Sequence, residues 1–203
     1  MKNLQLDQFD AFLFDLDGTL VDSMELHNNA WITALAELGY QMTHEILHSY
    51  AGVPTLKTAQ IFNEKFGWNL DAEAFALEKE SRFLEKISQV KPILEVIEIV
   101  HQYLGKKPMA IVSGGVREVV FGVLSAIDLH HAFPIKICAE DTTRGKPFPD
   151  PFLKAAELLG ISPERCLVFE DGEAGIKAAQ ASGMGVVKVV SDPERNSVVL
   201  TRL

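Results

Sequence analysis

Hydrophobic positions along the chain fall into two patterns, each dominating a different stretch. Short, nearly continuous apolar runs at 9–14 (broken by Asp10), 109–112, 135–139, 166–169 and 185–190 predict buried strands. Between the later runs, apolar residues recur at helical spacing over 93–104, 116–127, 151–159 and 174–181. Strands separated by helices predict an α/β fold with a doubly wound parallel sheet.

Residues 22–90 break that alternation. There Met24, His27, Trp31, Leu35 and Leu38 repeat at helical spacing, with Asp22 and Glu25 placed as a capping pair and Gly39 as the stop. Further helices are expected over 43–50, 55–66 and 72–88, with no strand among them. Four helices that interrupt a parallel sheet suggest an insert. Residues 1–21 and 91–203 are expected to form the core, and 22–90 a small helical lid over its site. The tail beyond Ser191 carries no decisive pattern and is expected to fray.

Composition narrows the class. A hydrophobic content of 47% with 23% charged residues suits a globular enzyme, and a net charge of −9 speaks against a general nucleic-acid binder, which needs a basic face. The apolar runs fall short of a membrane span, and residues 1–10 lack the apolar centre of a secretory leader, so a cytoplasmic protein is expected. Cys138 and Cys166 sit within apolar runs and are expected to be core thiols rather than a disulfide.

Candidate chemistry gathers where the apolar runs stop. The first run ends in Asp15-Leu16-Asp17-Gly18-Thr19-Leu20-Val21-Asp22. Carboxylates at the end of a hydrophobic strand are costly unless a cation or a reaction holds them there, and strand ends are where open α/β sheets bind ligands. If the extended backbone continues, Asp15 and Asp17 fall on one side, one able to attack an electrophile and the other to handle a proton. Mg²⁺, which prefers oxygen ligands and bridges carboxylates to phosphates, suits such a pair. Ser113-Gly114-Gly115 follows the second run and offers a hydroxyl and backbone N–H groups to a phosphate oxygen. Lys146 lies in a proline-stiffened loop, where a fixed ammonium can neutralise both a nucleophilic carboxylate and phosphoryl oxygens. Glu170 and Asp171 end the 166–169 run and supply carboxylates for Mg²⁺ or, for Asp171, a helix cap.

In this order and context, the four elements resemble the four motifs of the haloacid dehalogenase superfamily over nearly the whole chain. The resemblance implies a Rossmann-like core with Asp15 as nucleophile, forming an aspartyl-phosphate, and Asp17 as general acid and base. It further implies Mg²⁺ held by the side chains of Asp15 and Asp171 and the carbonyl of Asp17, with Glu170 beside it. Ser113, Gly114 and Lys146 would hold the phosphoryl group. Dehalogenase and phosphonatase branches lack an acid at the position of Asp17, which points to phosphate-ester chemistry.

The insert resembles the lid of the β-phosphoglucomutase-like branch. Phe169-Glu170-Asp171-Gly172-Glu173-Ala174-Gly175-Ile176 is similar to small sugar-phosphate phosphatases active on fructose 1-phosphate or 6-phosphogluconate. Mutases of that branch carry Gly-Val-Ser-Arg where this chain has Gly52-Val53-Pro54-Thr55. Losing the guanidinium loses a bidentate phosphate contact, which favours hydrolysis over isomerisation. His27 and Lys79 match lid positions that the branch uses near its site, although a core histidine or a solvated lysine fits the same pattern. The expectation is a Mg²⁺-dependent, monomeric phosphatase (a dimer is also compatible) for a small phosphorylated sugar or sugar acid. A β-phosphoglucomutase-type transferase, a phosphatase for phosphoglycolate or a nucleotide, and a catalytically silent binding protein are the alternatives.

Overall fold

The computed structural model describes residues 4–192 and 197–203. After a 3-10 turn at Leu6–Gln8 come β1 (Ala11–Phe14) and β2 (Val21–Asp22). Four helices follow, α1 (Met24–Glu37), α2 (His44–His48), α3 (Thr55–Phe66) and α4 (Ala72–Leu84), then β3 (Lys91–Pro92). The chain continues through α5 (Leu94–Tyr103), β4 (Met109–Val112), α6 (Arg117–Ala126), β5 (Ile135–Ile137) and α7 (Asp150–Leu159). It ends with β6 (Cys166–Glu170), α8 (Glu173–Ala181), β7 (Gly185–Asp192) and β8 (Ser197–Arg202).

Six strands form one sheet in the order β5-β4-β1-β6-β7-β8, parallel except for β8. Alternating side chains divide its two faces. Phe12, Phe14, Leu167 and Phe169 pack with Val96, Val100 and Val120 of α5 and α6, whereas Leu13 and Val168 pack with Phe152 and Ala178 of α7 and α8. The rings of Phe14 and Phe169 stack 4.7 Å apart across the β1–β6 ladder. Removing either ring would cost about 3–5 kcal/mol. That register brings Asp15 and Glu170, the next residue along each strand, to the same sheet edge. The chain winds outward from β1 through β4 and β5, then crosses to β6 and β7 on the other side. The β1–β6 edge is therefore the topological switch point, the usual ligand position in such sheets.

Trp31, Leu35, Phe62 and Phe75 give α1–α4 a small core of their own, while Ala30 and Phe83 pack into the main one. The chain enters and leaves this helical segment through β2 and β3. These pair with each other, Val21 opposite Pro92 and Asp22 opposite Lys91. No helix among the described residues is long and apolar enough to cross a membrane.

Several local expectations are corrected. The first strand starts at Ala11 rather than at residue 9; Phe9 is buried ahead of it. Asp22 belongs to β2, and the N-cap of α1 is Ser23, whose side chain makes no capping bond. Two-residue strands such as β2 and β3 are too short to carry a period, which is why the sequence showed none. Leu38 is 56% exposed rather than part of the helix's buried stripe. Helices α2, α4 and α5 are shorter than their patterns, and Ile87–Gln89 forms a separate 3-10 turn. The tail is ordered by pairing: β8 runs antiparallel to β7, and Arg202 donates to the carbonyl of Val186 at 3.0 Å and lies over the Phe9 ring. Residues 193–196 of that tail lie outside the described residues.

Candidate active site

Asp15 leaves β1 with its N–H bonded to the carbonyl of Phe169 at 3.0 Å, which fixes its carboxylate at the switch point. Lys146, brought in by the loop before α7, donates to Asp15 Oδ1 and to Glu170 Oε1, both at 2.6 Å. All three are buried. Burial opposes the charge on Lys146, but the two carboxylates outweigh it and hold the ammonium protonated beyond the ordinary lysine range. One ammonium does not balance the site. Burial, and after it the charge of Glu170, pushes Asp15 well above the usual carboxylate range.

Glu170 is pinned on both oxygens, since Oε2 accepts the Gly172 N–H at 2.8 Å. Asp171 accepts the Thr19 hydroxyl at 2.8 Å. Burial and the neighbouring Glu170 raise it to about 7. Gly18 turns the chain at φ +88°, and a Cβ there would lie 2.3 Å from Asp171 Oδ2. Oxygens of Asp15, Glu170 and Asp171 lie within 4.8 Å of one another. This set fits Mg²⁺: the donors are all hard oxygens, and their crowded negative charge is what a divalent cation offsets.

Asp17 points elsewhere. Its Oδ1 accepts the Ser23 hydroxyl at 2.6 Å and lies 3.1 Å from His27 Nε2. Burial works against its charge, but His27 and Ser23 outweigh that and hold it below the usual range. His27 stacks on Phe83 with ring centroids 3.8 Å apart, and its Nδ1 is 2.7 Å from Lys79 Nζ. Lys79 is only 2% exposed, so it does not belong to a solvated helix face. Desolvation lowers its pKa against the pull of Glu80. It donates to both Glu80 oxygens at 3.2 Å, and the Thr55 hydroxyl donates to the same carboxylate. A polar chain thus runs from Asp17 through His27, Lys79 and Glu80 to Thr55.

Ser113 follows β4, is buried, and its Oγ accepts the Gly115 N–H at 3.0 Å. Gly114 touches the helical segment directly: a Cβ on it would lie 2.3 Å from the carbonyl oxygen of Gly52. A cavity of about 90 Å³ lies between the two parts. Asp15, Asp17, Ser113, Gly114, Glu170 and Asp171 line it from the sheet, and His27, Lys79, Thr55 and Thr58 from the helices. Lys146 joins through its bonds to two of the lining carboxylates. All nine candidate residues therefore converge.

Four contributors were not picked out from sequence: Thr19, Ser23, Glu80 and Gly175. A Cβ on Gly175 would lie 1.6 Å from Glu170 Oε1. A glycine inside a helix pattern is a signal of such close packing. The hydroxyls and Glu80 carry no comparable mark, because surface caps and exposed acids look the same in one sequence.

The sequence profile of the family described as haloacid dehalogenase-like hydrolase matches residues 12–189. The fructose-1-phosphate phosphatase YqaB of Escherichia coli K12 is 32% identical over 183 residues, covering 90% of this chain and 97% of the relative. Hexitol phosphatase A of the same organism is 33% identical, covering 94% of this chain and 88% of the relative. Among solved structures, a β-phosphoglucomutase from Clostridium difficile aligns with a TM-score of 0.80 at 23% identity, covering 93% of this chain and 86% of that one. That structural likeness speaks for the fold alone.

Proposed function

The chain belongs to the haloacid dehalogenase-like hydrolases, and from that premise we propose that it cleaves small sugar phosphates by way of a phosphorylated Asp15, with Mg²⁺ as cofactor. Hydrolysis of phosphoric monoesters is the activity its relatives carry in their names. The observation that carries the mechanistic reading is the contact of Asp15 with Lys146 at 2.6 Å, with Asp17 held separately by Ser23 and His27. It supports two carboxylates in two roles.

Asp15 attacks phosphorus as the bond to the ester oxygen breaks, and Asp17 gives that oxygen its proton. The dianionic phosphoryl group raises the proton affinity of Asp17 while it is bound. Once the alcohol has left, Asp17 as a carboxylate takes a proton from water, whose oxygen displaces phosphate from Asp15. Lys146, the Ser113 hydroxyl and the Gly114 N–H receive charge on the phosphoryl oxygens, the Ser113 N–H being held by the carbonyl of Ile137. Asp15 and Asp171, with Glu170 beside them, would hold Mg²⁺, which when bound supplies charge stabilisation to the transferring group. We take residues 22–90 as a lid, joined at the β2–β3 ladder and closing through the Gly52–Gly114 contact to exclude bulk water.

Thr55 bears on mutase against phosphatase. It is occupied by Glu80 and offers no cation to a second phosphate. The test is phosphate release from fructose 1-phosphate, hexitol phosphates, β-glucose 1-phosphate, phosphoglycolate and nucleoside monophosphates, with Mg²⁺ and with a chelator. Mg²⁺-dependent release from sugar esters is expected. Conversion of β-glucose 1-phosphate to glucose 6-phosphate without release would establish the mutase reading instead.

A further inference from the structure

Among the described residues, the helical side of the cavity wall adds one carboxylate that phosphoryl transfer leaves unused, Glu80. Five carboxylates line the cavity, Asp15, Asp17, Glu80, Glu170 and Asp171, against one lining cation among the described residues, Lys79. That cation is already committed to Glu80 at 3.2 Å and His27 at 2.7 Å. Thr55 closes onto the same Glu80 carboxylate. Beside them Thr58, 2% exposed, lines the cavity, and its Oγ1 is buried with no hydrogen-bond partner among the described residues. A buried hydroxyl without a partner is costly unless a ligand completes it.

An anionic group at this wall would meet Glu80 with no uncommitted lining cation among the described residues to receive it. Neutral hydroxyls, which both donate and accept, can bond to Glu80, Thr55 and Thr58 without that penalty. Resting on the phosphatase reading, we propose that Thr58, Thr55 and Glu80 form a hydroxyl subsite that selects esters whose remainder is a neutral polyol or sugar. Esters carrying a carboxylate or a second phosphate are rejected, by repulsion as much as by missing contacts.

Glucitol 6-phosphate and 6-phosphogluconate provide the test, because they share a six-carbon chain and a terminal phosphate but end in CH₂OH and carboxylate. With the full chain and Mg²⁺, kcat/KM is expected to favour glucitol 6-phosphate by at least about tenfold, the scale of a like-charge contact in a desolvated pocket. Glu80→Gln releases Lys79 towards the substrate carboxylate and should shrink or invert that ratio. Thr58→Val should raise KM for glucitol 6-phosphate while kcat is retained. Equal kcat/KM for the two esters in the wild type, or a ratio indifferent to both substitutions, overturns the proposal. Calorimetric titration of Asp15→Asn with both esters measures the wall without turnover, and the same preference is expected there. Selective binding of glucitol 6-phosphate with no phosphate release by the wild type would overturn the phosphatase reading and uphold the subsite. Equal binding of the two esters would overturn the subsite whatever the turnover.

Discussion

Gly175 and Glu170 fit together with no space between them: a Cβ on Gly175 would lie 1.6 Å from the Oε1 that receives Lys146. Glycine inside a helix costs about 1 kcal/mol relative to alanine, so propensity alone would make Gly175→Ala stabilising. The opposite is expected. Alanine must displace Glu170, leaving Lys146 with one of its two carboxylates, so both the unfolding midpoint and phosphate release should fall. Thermal unfolding and an activity assay on the one variant check this, and a raised midpoint with full activity contradicts it.

Gly114 makes a different kind of contact, between the sheet side of the cavity and the loop at Gly52. A methyl group at 114 would fall 2.3 Å from a backbone carbonyl that belongs to the helical segment. Gly114→Ala should therefore hold the two parts slightly open while each keeps its own core. Stability should change by less than about 1 kcal/mol, whereas kcat/KM should drop by about tenfold or more. Proteolysis around residues 51–54 should quicken in the same variant.

The carboxylate group of Asp15, Glu170 and Asp171 predicts a metal effect on stability as well as on activity. Mg²⁺ should raise the unfolding midpoint, by about 2.7 kcal/mol in stability at a hundredfold excess over its dissociation constant. A chelator should reverse the effect, and Asp171→Asn should lose most of it. Calorimetry in the absence of substrate reads this directly.

Burial pushes the thiols of Cys138 and Cys166 up to about 11. The reactive species is the thiolate, so at pH 8 the folded protein should resist iodoacetamide at both positions. Unfolding returns the thiols to about 8.5, and both should then alkylate readily. Mass spectrometry before and after denaturation decides it.

Much of this arrangement could be read from the chain. Strands buried on both faces leave solid apolar runs, so β1, β4, β6 and β7 were visible, and polar residues directly beyond such runs stand out, as Asp15, Ser113 and Glu170 do. What escaped depends on three-dimensional fit or on very short elements. The ladder between Val21 and Pro92 has no period to detect. Thr19 and Ser23 look like ordinary turn and cap residues until their hydroxyls are seen on Asp171 and Asp17. Lys79 sits in a charge-rich stretch, and only the packing of α4 against α1 turns it inward to His27. The tail failed for a related reason, since β8 takes its order from pairing with β7 rather than from a pattern of its own.

The central claim is that Asp15 is the nucleophile. It is tested most directly by phosphate release from a sugar monoester, wild type beside Asp15→Asn, with unfolding midpoints recorded for both. The account predicts a loss of at least about 10³-fold in kcat with a folded variant. A folded Asp15→Asn protein that retains activity within about tenfold of wild type would contradict it, because the attacking group would then lie elsewhere.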